Sequence, residues 1–226
     1  MPSSPPARVA SINLARVRPN PFKEAATTGI DKHPTSQPVD VRAPGTKTDG
    51  LGSGLVGDAI GDRANHGGDD QAVYAYARED LDHWAGVLGR DLTPGSFGEN
   101  LTTEGIDVNT ALIGERWRIG DQVELQITCP RIPCSTFRGW IDEPGWLKTF
   151  TAAAIPGAYL RVITPGSVAA GDEITVSRRP DHEVTVAIVF RALTLEPDLL
   201  VSILAAADLP QEERTMAVEG RTFSIS

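Results

Sequence analysis

The stretch QVELQITCPRIPC, residues 122–134, contains the change of pattern on which the fold turns. Val123, Leu125 and Ile127 alternate with Gln122, Glu124, Gln126 and Thr128, which is the two-residue period of a strand with one buried face. Cys129 continues the odd, apolar side, so the pattern predicts a thiol in the core beside Ile127. The alternation then stops. Pro130 and Pro133 fix their own φ and hold the residues before them extended, so Pro130-Arg131-Ile132-Pro133-Cys134 reads as a stiff loop that presents one thiol. A cysteine that binds metal or attacks as a nucleophile acts as its thiolate, and a nearby cation favours that form. Arg131 is near enough in sequence to be that cation. The plain alternative, a buried cysteine packing as a small apolar residue, stands beside this reading for Cys134 and is the preferred one for Cys129.

Working outward, the neighbouring segments repeat the short-strand theme. Glu115–Ile119 leads through Gly120-Asp121 into the alternating strand, Tyr159–Ile163 and Glu173–Ser177 flank Pro165-Gly166, and Val9–Val17 and Ala72–Tyr76 are further strands. Residues 29–60 read as short extended pieces broken by glycine and proline, with Val39–Val41 among them and a loop over Thr46–Gly54. Leu81, Trp84 and Leu88 mark an amphipathic helix over residues 78–88 that Gly89 closes, and Trp146–Ala154 is a second short helix. After residue 180 the character changes: Pro197–Ala207 and Pro210–Glu219 are helical, while Val184–Phe190 is open between a β-branched strand and a helix capped by Thr185. The expected fold is mostly β, an antiparallel-rich barrel or sandwich over residues 8–178 with a few peripheral helices. A small helical C-terminal appendage is expected over 181–226, and a disordered start over 1–7.

The 226 residues carry 21 Lys+Arg against 30 Asp+Glu, a net charge of −9, which argues against binding a nucleic-acid polymer. No apolar run approaches the roughly 20 residues needed to cross a bilayer, and the start lacks a signal-like apolar segment, so no membrane association and a cytoplasmic location are expected. Cys129 and Cys134, so close on one strand end, are poorly placed for a disulfide.

Two further segments can carry chemistry. In His66-Gly67-Gly68-Asp69-Asp70-Gln71 the paired glycines let backbone N–H groups approach an oxyanion, His66 adds a hydrogen bond and Asp70 a carboxylate. Its plain alternative is a tight turn with an exposed histidine. Gly95-Ser96-Phe97-Gly98-Glu99-Asn100-Leu101 is, by itself, a turn. No His/Cys spacing suits zinc, and no phosphate-loop, dinucleotide-loop or nucleophile-elbow pattern is present.

In this order, HGG, FGENL and PRIPC resemble the motifs of the MOSC family, named from the C-terminal domain of molybdenum cofactor sulfurases. More narrowly they resemble its stand-alone bacterial YiiM-like branch. The resemblance covers roughly residues 50–178, with looser similarity toward both ends. Asp69 departs from the branch, which more often has Pro there, and Ile188-Val189 are more apolar than its first tail helix. The resemblance implies a β-barrel of mixed strands with Cys134 at the mouth of a cleft, and it favours helix over Val184–Leu193. It implies that Cys134 binds molybdenum or carries sulfur. A molybdenum–pterin cofactor (molybdopterin) would be held with His66, Gly67, Gly68, Asp70, Gln71, Gly98, Glu99, Asn100, Arg131 and Thr136 around one concave site. The backbone N–H groups of Gly67 and Gly68 are expected to face that cleft. Pyridoxal phosphate binding is a further property the resemblance suggests.

Three functions follow from the resemblance. The first is a molybdenum-dependent reductase of N-hydroxylated compounds such as hydroxylaminopurines, amidoximes and hydroxamates. This chain has no flavin, haem or iron–sulfur motif, so electrons would come from a separate donor protein. The second is a sulfur carrier with a persulfide on Cys134, and the third a non-catalytic binding module.

Overall fold

The computed structural model describes residues 6–225, so most of the start expected to be disordered, residues 1–5, lies outside the described residues. In chain order the strands and helices open with β1 (Arg8–Ala15), β2 (Arg18–Pro19), β3 (Thr27–Thr28), β4 (Lys32–Thr35), β5 (Val39–Val41), β6 (Val73–Ala77) and α1 (Arg78–Leu88). They continue with β7 (Leu101–Glu104), β8 (Arg116–Ile119), β9 (Val123–Pro130), α2 (Ser135–Ile141), α3 (Trp146–Ala153), β10 (Ala158–Thr164), β11 (Gly166–Val168) and β12 (Ile174–Arg178). The chain ends with α4 (Val186–Thr194), α5 (Leu200–Ile203) and α6 (Gln211–Val218).

Eight strands form one mixed sheet in the order β12-β8-β9-β10-β6-β7-β1-β4, antiparallel except for β6 beside β7. The sheet curls until the start of β1 meets the approach to β12. Val9 N–H donates to the Asp172 carbonyl at 2.9 Å, and Ile174 N–H to the Ala7 carbonyl at 2.8 Å. Arg8 and Glu173 form an antiparallel bridge there, but the ladder of named strands ends at β12 and β4, so among the described residues that ladder does not by itself close the expected barrel. The reason lies in β1. Its last residues pair with β4, leaving only its first residues free to reach residues 171–174.

Two apolar clusters lie on the faces of this sheet. Val123, Leu125 and Ile127 of β9 pack with Leu160 of β10 and with Val186, Val189 and Leu193 of α4 in the larger one, so the C-terminal helices share the core of the sheet. The smaller is aromatic: Trp84, Phe97, Phe137, Trp146 and Phe150 meet mostly edge-to-face at centroid distances of 4.8–6.0 Å, with Trp84 and Phe150 stacked.

Three local expectations change. Residues 135–141 form a helix directly after Cys134, although Gly139 and Trp140 are weak helix formers. Burial of Phe137 and Ile141 in the aromatic cluster stabilises it, at about 1.5–3 kcal/mol per large apolar side chain. The open stretch 184–190 resolves as helix from Val186 onward, with extended Thr185 as its cap, the side chain accepting the Ile188 N–H at 3.2 Å. The helix expected over 197–207 is shorter, a 3-10 turn at Pro197–Leu199 followed by the single turn of α5. Among the described residues no helix is long and apolar enough to cross a membrane.

Candidate functional site

Cys134 is the residue immediately before α2, in extended geometry (φ −131°, ψ 171°) that Pro133 and the helix start impose from either side. It lines a cleft of about 700 Å³ with His66, Gly67, Gln71, Gly98, Asn100, Arg131 and Thr136. Eight of the residues expected to share one site therefore do so, although they come from loops before β6, before β7 and around the end of β9.

The electrostatics of the cleft favour a thiolate. Burial by itself raises the Cys134 thiol, but a hydrogen bond with the His66 ring and the positive charge of Arg131 outweigh it and bring the pKa down to about 6. Arg131 is itself buried, 6% exposed, with its guanidinium carbon 3.6 Å from the Phe137 ring centroid and 5.6 Å from that of Tyr74. Those aromatic faces replace part of its hydration. Its Nη1 has no hydrogen-bond partner, a costly arrangement for a buried cation and one that an anionic ligand would relieve.

A second buried cation also lines the cleft. Lys32 Nζ pairs with Asp58 at 2.7 Å, and Asp58 accepts further hydrogen bonds from Ser53 Oγ (2.7 Å), Asn100 Nδ2 (2.9 Å) and the Ala15 N–H (2.8 Å). Burial pushes the Asp58 carboxyl up, and Lys32 with these donors more than reverses it, leaving it below the ordinary range. Sequence reasoning missed Lys32, Asp58 and Tyr159. Lys32 lies in an extended piece with no motif around it, and only the pairing of β1 with β4 carries it to the cleft.

Three expected site residues are elsewhere. Glu99 is fully buried and points into its own turn, accepting from the Gly95 N–H (2.5 Å), the Phe97 N–H (3.0 Å) and Thr102 Oγ1 (2.8 Å). It shapes the loop that brings Gly98 and Asn100 to the cleft, and burial raises its pKa despite those donors. Asp70 pairs with Arg161 and lines a separate cavity. Gly68 lines the same separate cavity, and its N–H donates to the Gly52 carbonyl at 3.0 Å instead of facing the cleft. Gly67 and Gly68 adopt φ of 86° and 79°, and a Cβ at either would strike residues 47 or 52 within 2.8 Å. The glycines are needed to stack two loops, and the Gly68 N–H is used in that stacking.

The remaining residues hold the frame. Asn100 Oδ1 accepts the Tyr74 N–H at 3.1 Å, and Thr136 Oγ1 accepts from Asn20 Nδ2 at 3.1 Å. Among the described residues no group of three or more His, Cys, Asp or Glu could hold a metal ion.

Residues 62–175 match the MOSC domain. Protein YiiM of Escherichia coli is 30% identical over 169 residues, covering 72% of this chain and 75% of that protein. A protein named Reductase from Gibberella moniliformis is 25% identical over 215 residues, 94% of this chain, which spans only 36% of that longer protein. The crystal structure of YiiM from Geobacillus stearothermophilus superposes with a TM-score of 0.76 at 25% identity, covering 95% of this chain and 99% of the other. The chain belongs to the MOSC domain family.

Proposed function

We propose that this MOSC chain holds a molybdenum–pterin cofactor through Cys134 and reduces N-hydroxylated compounds with electrons from a separate donor protein. The observation that carries this reading is the pairing of Cys134, whose pKa is brought down to about 6, with the buried, partnerless Nη1 of Arg131 in one cleft. The residues fit such a cofactor. A single thiolate suits a metal whose other ligands come from the cofactor itself, and the buried cation Arg131 suits its anionic groups. A relative named Reductase points to the same class of chemistry.

When bound, the cofactor supplies a metal centre able to exchange an oxygen atom together with two electrons. The protein does the rest. Cys134 and Arg131 fix position and charge, His66 holds a proton at the Cys134 sulfur, and Ile30, Tyr74, Phe97 and Tyr159 give the cleft apolar walls. The overall change balances as R–NH–OH + 2 e⁻ + 2 H⁺ → R–NH₂ + H₂O. The net charge of −9 favours an electron donor with a basic contact surface.

The test is molybdenum and pterin per chain after expression in cofactor-competent cells, followed by anaerobic turnover of a hydroxylaminopurine with a reduced dye. Stoichiometric molybdenum with turnover is the expected result. Metal-free protein that releases thiocyanate on cyanolysis would replace this reading with a persulfide carrier, and protein with neither property would be a binding module.

A further inference from the structure

Behind the glycine turn lies a second cavity, of about 630 Å³, which the proposed cofactor site does not use. The loops at Gly45 and Gly68, the thiol of Cys129, and Glu212 and Glu213 from α6 all contribute to its wall. Gly67 and Gln71 belong to the walls of both cavities, so one loop separates the two.

The second cavity is acidic, and its acids are not equivalent. Asp69 accepts the Gly45 N–H at 2.8 Å, Asp70 pairs with Arg161, and Glu212 pairs with Lys47 at 3.0 Å. Among the described residues no cation pairs with Glu213. Glu213 is 7% exposed, its Oε2 has no hydrogen-bond partner, and its side-chain contact is a hydrogen bond with Cys129. Gln71 Oε1 is a second buried oxygen without a partner. Burial, reinforced by the charges of Glu212 and Asp70, raises the Glu213 carboxyl to about 7. Burial and Glu213 keep the Cys129 thiol neutral.

These facts define a ligand by its chemistry. A buried, unpartnered carboxylate oxygen among further acids favours a donor that carries positive charge. An anion is repelled, and a metal ion lacks the three ligating side chains it would need among the described residues. A planar group with paired N–H donors matches a carboxylate geometrically. We propose that this cavity binds an organic cation of the amidinium or guanidinium class, with Glu213 receiving its N–H groups. The C-terminal helix α6 would then contribute to a site of its own, and the ligand would tie that helix to the loop bordering the cleft.

The experiment is calorimetric titration of benzamidine hydrochloride into the full-length Cys134→Ser chain, so that no chemistry of the proposed cofactor site contributes. Saturable one-to-one binding below about 1 mM is expected. It should weaken about tenfold or more in Glu213→Gln, as for loss of a charge-assisted hydrogen bond, and be restored in Glu213→Asp. Affinity should also rise with pH from one unit below to one unit above the Glu213 value of about 7, with release of a proton, since only the ionised carboxylate receives the cation. Absence of saturation, or equal affinity in Glu213→Gln, overturns the proposal. If Glu213→Gln fails to fold by circular dichroism, the wild-type pH dependence decides, and a flat profile overturns it. Molybdenum content of the wild-type chain reports separately on the cofactor reading, and Glu213→Gln should leave it unchanged.

Discussion

Cys129 and Cys134 stand five positions apart around one proline-rich turn, yet their surroundings push them in opposite directions. Cys134 meets His66 and Arg131, and its thiol falls to about 6. Cys129 meets enclosed space and Glu213, and its thiol rises well above the ordinary value. The cause is a bulge. Along β9 and β10, Tyr159 pairs with Cys129 and Leu160 with Ile127, so Thr128 is an extra residue on one strand. Parity breaks there, and Cys129 lies on the face opposite Ile127. The expected place for Cys129, in the apolar core with Ile127, is thereby corrected: it is buried, 1% exposed, but borders the acidic cavity. A thiol's chemistry is set by which loops fold over it, and a single inserted residue can change that assignment.

The strongest way to break this contrast is to remove one thiol. Cys134→Ser should lose bound molybdenum altogether while still folding, because the turn is shaped by Pro130, Pro133 and the start of α2. Full metal retention by that variant would mean the wrong cysteine has been named. Arg131→Met comes next. Removing a charge that supports a metal ligand should weaken molybdenum retention by about 10- to 100-fold, read as metal remaining after dialysis.

The pH dependence sharpens the same contrast. In cofactor-free protein the thiolate absorbance of Cys134 should titrate near 6, with no contribution from Cys129, and Arg131→Met should move that midpoint upward. The folded value lies below the ordinary 9.0, so the stability this ionisation contributes is complete above pH 9 and is lost as pH falls through about 6. Denaturation midpoints across that window should decline more steeply for wild type than for Cys134→Ser.

Smaller effects separate frame from site. Glu99→Gln turns one acceptor into a donor facing the N–H groups of Gly95 and Phe97, and should cost about 1–3 kcal/mol in denaturant unfolding. A pure loss of cofactor with unchanged stability would instead put Glu99 back in the cleft. The smallest change is Cys129→Ser. Placed in an apolar core, its hydroxyl would cost about 1–3 kcal/mol. Beside Glu213 and Thr128 it finds partners, and the cost should stay below about 1 kcal/mol, with cofactor content unaffected.

Much of this protein is legible in the order of its residues. Alternation at Val123, Leu125 and Ile127 marks β9, the spacing of Leu81 and Trp84 marks α1, and the two prolines mark the rigid approach to Cys134. The HGG, FGENL and PRIPC segments converge on one cleft through His66, Gly98, Asn100 and Cys134. What was not legible concerns direction. Asp70 and Gly68 belong to the right loop but the wrong side of it, and Glu99 belongs to the right turn but faces inward. Spacing along a loop does not say which way a side chain leaves it, because glycines at positive φ reverse the chain within two residues.

The sequence by itself determined the periodic elements, the stiff loop and the family, because each rests on local backbone preference or on an ordered set of motifs. The tertiary structure alone decided that β1 curls back toward β12 without closing a ladder, that Lys32 reaches the cleft beside Arg131, that one bulged residue turns Cys129 toward Glu213, and that α6 walls a second cavity. These outcomes depend on pairing and burial between segments distant in the chain. The free energy of such contacts exists only once the partners have met, and no local pattern encodes it.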